Sequence, residues 1–126
     1  MFEIDRSLMV VKPKQPFLDW ARRLDDESED LTLDHVRDDS LVYLIPQLWD
    51  NTERQMVLEW CYEFVFEAEL DAWHTDTDAW PQGRNLNMFL EWFEVEFHSL
   101  AFDLCDEPIR VIKDEPVDHS EPETGH

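Results

Sequence analysis

The chain has 126 residues, 31 of them Asp or Glu against ten Lys or Arg, for a formal charge of −21, yet 13% of it is aromatic. Acidity this strong with few aromatics would read as a disordered, solvating chain; six Trp, eight Phe and two Tyr supply enough apolar area to close a core, and the length suits one domain. Such a field repels nucleic acid and anionic membrane surfaces and attracts basic macromolecules, which excludes direct nucleic-acid binding and points to a basic protein as partner.

The first residues show no basic stretch leading into an apolar one, so no signal peptide is expected, and no run approaches the ~18 apolar residues of a membrane span. These features together predict a cytoplasmic protein. Residues 1–24 hold five basic and three acidic side chains, so the negative charge lies almost wholly beyond them. Cys61 and Cys105 have apolar neighbours within helical patterns and read as reduced, buried, inert thiols.

In chain order, Ser7 to Lys12 is a short β-branched run closed by Pro13 and Pro16, the signature of a strand. Pro16 opens a helix in which Phe17, Leu18, Ala21 and Leu24 recur at helical spacing, with Arg22 and Arg23 near its end. Asp25 to Asp30 is an acidic loop, and Thr32 caps a short helical turn through Leu33 and Val36. Residues 40–46 are apolar on both faces and stopped by Pro46, which predicts a central strand.

Two long helices are expected next, Asn51 to Trp73, capped by Asn51 or Thr52, and Asn85 to Leu104. The loop between them, His74 to Arg84, holds Pro81 and Gly83. Residues 109–113 read as a last strand, ahead of an acidic tail, 114–126, whose composition reads as disordered. The expected fold is therefore α+β: one domain over 1–113, with a small three-stranded sheet packed against two long helices and one shorter helix.

Both long helices carry apolar residues on two faces. In the second, Met88, Trp92, Val95 and Phe102 lie opposite the main stripe; in the first, Tyr62, Phe66, Leu70 and Trp73 do so. Either the short helix and the loops cover these residues, or Trp92, Phe102, Phe66 and Trp73 anchor a second copy or a partner. A monomer is preferred to a homodimer, because the short helix is available to cover one stripe.

With Gly83 and Gly125 the only glycines, no Gly-rich phosphate loop exists, and no cofactor is expected. Asp76 and Asp78 fail the calcium-loop pattern, since Pro81 and Asn87 stand where Gly and Glu belong, and they read as turn formers. Glu94 and His98 share a helical face at i, i+4, and with Glu63 of the facing helix they compose a carboxylate–histidine metal site, the alternative, enzymatic reading. That reading ranks second, because acidic helices generate such spacings by chance. Glu59, Glu63, Glu67 and Asp71 step along one side of the first long helix, about 5–6 Å per turn. Two parallel rows of this pitch resemble the phosphates of a duplex. The preferred function is thus non-catalytic, the binding of a basic macromolecular partner, in the manner of a nucleic-acid mimic.

Overall fold

A computed structural model of the chain describes residues 1–24 and 30–112. Residues 25–29 of the acidic loop and the expected tail lie outside the described residues, as does Lys113. The elements are β1 (Phe2–Glu3), β2 (Arg6–Pro13), α1 (Gln15–Leu24), α2 (Leu33–Arg37), β3 (Leu41–Pro46), α3 (Asn51–Trp73), α4 (Leu86–Trp92), β4 (Phe93–His98) and β5 (Phe102–Asp103). A three-stranded antiparallel sheet in the order β3-β2-β4 packs against the helices, an α+β fold, while β1 and β5 form a separate two-residue ladder.

Strand β2 is the axis of the sheet. It pairs with β3 through Val10↔Val42 and with β4 through Val11↔Val95. Successive side chains alternate between faces, so Ser7, Met9 and Val11 are buried while Leu8, Val10 and Lys12 are half-buried on the open face. Strand β3 is an edge strand, not a central one: its second apolar face, Val42 and Leu44, is exposed, and no helix among the described residues lies over that side. Ser7 is fully buried and doubly satisfied, its Oγ donating to the Ser99 carbonyl and accepting from the Leu48 amide.

Helix α3, 23 residues long, starts at Asn51 as expected, but its cap is Asp50 in place of Asn51 or Thr52. The Asp50 carboxylate accepts from the Thr52 and Glu53 amides, and Glu53 returns a bond to the Asp50 amide, a reciprocal box that closes the orphan donors of the first turn. Thr32 caps α2 as expected, its Oγ1 accepting from the His35 amide.

The second long helix does not exist. Helix α4 ends at Trp92 and the chain passes directly into β4, with Phe93 at φ −137°, ψ 142°. Residues 93–98 read Phe-Glu-Val-Glu-Phe-His, a strict alternation that turns Phe93, Val95 and Phe97 toward the core and Glu94, Glu96 and His98 away from it. The end of α4 is tied to the sheet by Lys14, whose Nζ donates to the Leu90 carbonyl and whose backbone amide donates to that of Trp92. The strand expected at 109–113 is not formed over its described part: 109–112 are irregular and exposed.

The two apolar faces meet each other within the chain. Phe66 of α3, fully buried, has its ring centroid 5.7 Å from Phe89, 5.7 Å from Trp92 and 5.5 Å from Phe93. Phe17 of α1 closes the cluster at 5.5 Å from Phe93 and 6.4 Å from Trp92. Tilted and edge-on pairs such as these add about 0.5–1.5 kcal/mol each beyond the area they bury. Trp92, expected as a partner anchor, is thus half-buried and packed against the core, beside the short helix that also supplies Trp20, 6.1 Å from it. Replacing Trp92 with Glu removes this ring and places a carboxylate among aromatic rings, a loss of at least about 3 kcal/mol. Trp92→Glu should lose its near-ultraviolet circular dichroism and its cooperative melt; a variant that stays folded while only its sedimentation changes would contradict the packing.

Candidate functional site

Two features of α3 concern function, one on its outer side and one on its inner side. The inner side follows the helical period through Leu58, Cys61, Val65 and Glu69, all buried. The outer side, at about 100° per residue, gathers Met56, Glu59, Trp60, Glu63, Glu67 and Asp71 into one band roughly a third of the circumference wide. Glu59, Glu63 and Asp71 are exposed. Glu67 is half-buried and paired with Arg84 at 2.9 Å. Large apolar side chains interrupt the band: Met56 is 63% exposed and Trp60 54%, the latter resting edge-on against Phe64. Phe102 is also exposed, but on β5.

The structure does not bring Glu63, Glu94 and His98 together. Glu94 and His98 sit four residues apart on a strand, about 13 Å along it, instead of one turn apart on a helix. Glu94 is paired with Arg37, and His98 lies 3.6 Å from Glu96. Glu96 is itself bonded to Lys12 at 2.9 Å, and Lys12 with His98 holds its carboxyl below the usual range. Glu63 stands on the outer side of α3. Among the described residues no group of three or more His, Cys, Asp or Glu is arranged to hold a metal ion. Asp76 acts as a turn former, its carboxylate accepting from the Asp78 amide, and Gly83 takes the positive φ (70°) that closes the same loop.

The inner side of α3 carries a site that the sequence reading missed. Glu69 is only 7% exposed, and its Oε2 accepts from the Tyr43 hydroxyl at 2.8 Å. Burial pushes its carboxyl from 4.5 up to about 7, a rise that the Tyr43 hydrogen bond only partly offsets. Tyr43 is driven above its ordinary value, first by burial and then by the Glu69 charge. Cys61, two turns earlier on the inner side, is pushed up to about 11 by burial, so its thiol stays protonated at neutral pH. Cys105 is exposed, outside any helix, and both cysteines are unbridged. The legible signal for Glu69 was its phase: Cys61, Val65 and Glu69 recur every four residues, which puts a carboxylate in register with an apolar stripe.

Glu69 forms part of the wall of a cavity of about 250 Å³ between α1, α2, the start of β3 and the end of α3. Phe17, Leu41 and Trp73 supply apolar surface, and His35 and Asp39 the other titratable groups. Comparison of the chain with protein-family profiles, with characterised proteins and with solved structures finds no match, so fold and chemistry alone support a functional reading.

Because the folded state favours the protonated form of Glu69, this group stabilises most below the unfolded value of 4.5, and that stability is lost as pH rises through about 7. Glu69→Gln keeps an acceptor for Tyr43 and removes the charge. It should therefore stabilise by on the order of 3 kcal/mol at about pH 8 and far less at about pH 5, read as urea midpoints. An equal loss at both pH values would show that the carboxyl is not held in the neutral form.

Proposed function

We propose that this protein is a non-catalytic, cytoplasmic binder of a basic macromolecule, which it engages with the outer side of α3. The supporting observation is the mixture on that side: an exposed acidic row with Met56 and Trp60 set into it. Magnitudes decide why both parts are needed. Solvent-exposed ion pairs contribute about 0.2–1 kcal/mol each, so Glu59, Glu63 and Asp71 together give at most about 3 kcal/mol, weaker than a millimolar complex. An aromatic anchor that becomes buried contributes about 2 kcal/mol or more, which moves the sum into a useful range. The acidic row sets the encounter rate and the class of partner; Trp60 sets the lifetime.

The partner that complements such a band is a basic surface or helix with apolar side chains among its Lys and Arg. The pitch of the row, about 5–6 Å, suits a surface that otherwise takes nucleic-acid phosphates. Only one such helical row is present among the described residues, since 93–98 form a strand. The unbridged state of Cys61 and Cys105 fits a reducing compartment. No helix among the described residues is long and apolar enough to cross a membrane.

Proteins captured by the wild type from native lysate should be basic and should be released as salt rises from about 0.05 to 0.5 M. Glu59→Lys, Glu63→Lys and Asp71→Lys combined should abolish capture, and Trp60→Ser should speed dissociation about tenfold or more. Capture that ignores both salt and these substitutions would refute the reading.

A further inference from the structure

We propose that the cavity between α1, α2 and the end of α3 is a binding site for a small organic cation, a primary ammonium group on an apolar body, with Glu69 as counter-ion. The site stands apart from the acidic band, because Glu69 faces the sheet and the band faces solvent.

Glu69 is expensive to bury, and its one observed hydrogen-bond donor is the neutral Tyr43 hydroxyl, on Oε2. A glutamine would satisfy that hydroxyl without any ionisable group. Among the described residues no Lys or Arg lines the cavity. Arg37 lies at the end of α2 but is engaged with Glu94 and the Pro13 carbonyl. Glu69 therefore lines a cavity that holds no Lys or Arg among the described residues. Such a group calls for a cation from outside, and a net charge of −21 raises the local concentration of cations further.

The walls specify what kind of cation. Phe17 and Trp73, with ring centroids 6.3 Å apart and nearly perpendicular, form an aromatic wall to the cavity that Glu69 lines. Aromatic faces attract an ammonium group by about 0.5–2 kcal/mol and also take up its apolar body. A strongly hydrated inorganic ion gains nothing from such walls. The volume of about 250 Å³ lies just below the ~300 Å³ at which drug-sized sites begin, and it corresponds to roughly eight water-sized groups. A ligand of the dimensions of benzylammonium fits that space. Asp39 and His35 also line the cavity.

Benzylammonium and its neutral counterpart benzyl alcohol test this directly, titrated into the full-length protein followed by amide NMR shifts at about pH 8, where Glu69 is ionised. Salt at about 0.15 M screens non-specific attraction to the acidic surface. Benzylammonium should bind at least tenfold more tightly than benzyl alcohol and shift the amides of Glu69, Ala72 and Trp73. Glu69→Gln should erase that preference, weakening benzylammonium tenfold while leaving the alcohol unchanged, and Trp73→Ala should weaken both. Since Glu69→Gln alters the total charge by one, generic attraction survives it. Equal binding of the two probes, an unchanged preference in Glu69→Gln, or no shift at these amides up to about 10 mM would overturn the proposal. Binding of Nα-acetyl-lysine methylamide more tightly than benzylammonium would overturn it too, reassigning the cavity to a lysine side chain of a protein partner.

Discussion

Everything in this fold depends on the aromatic cluster around Phe66. Rings from α1, α3, α4 and β4 meet there, and Phe89 and Phe93 touch each other at 5.2 Å across the point where helix becomes strand. A chain with this much negative charge repels itself, and only apolar area concentrated in one place offsets that repulsion. Phe93 has to serve the cluster from a strand, because only an extended segment at 93–98 can both fill the third place in the sheet and turn Val95 and Phe97 inward. The Lys14 bonds to the end of α4 fix the joint at one residue.

The same cluster divides α3 into two environments with opposite electrostatics. Its inner side takes part in the core so fully that a carboxylate placed there, Glu69, is held far above its ordinary range. The outer side, free of packing demands, carries Glu59, Glu63 and Asp71 in water, where their charge acts at long range. One helix thus presents diffuse negative charge outward and a single desolvated carboxyl inward. The two suit different cations: an extended basic surface for the first, a compact ammonium for the second.

Much of this was legible in the sequence. The strand at Ser7 to Lys12, the helix opened by Pro16 and the long helix through Trp73 follow from period and punctuation, and the acidic row follows from spacing on that helix. The errors share a cause, which is that tertiary pairing overrode a local pattern. Residues 86–104 contain no Gly, and their only break from a helical stripe is the alternation at 93–98, short enough to be absorbed into a 3.6-residue period. A helical reading of 93–98 leaves the third strand to 109–113 and puts β3 at the centre of the sheet, whereas β3 lies at an edge. The same helical reading turns Trp92 into an exposed second face, whereas its ring packs against the core. Glu69 escaped notice because a carboxylate inside an acidic helix reads as solvated until its phase is compared with that of Cys61 and Val65.

The helix-to-strand joint at Phe93 carries the most weight, since the sheet order, the packing of Trp92 against the core and the separation of Glu94 from His98 all rest on it. Backbone NMR over residues 86–98 tests it most directly. Helical shifts should stop at Trp92, with extended shifts from Phe93 to His98 and cross-strand contacts joining Val11 to Val95 and Met9 to Phe97. Helical shifts running unbroken through residue 98, with no contact to β2, would contradict the account.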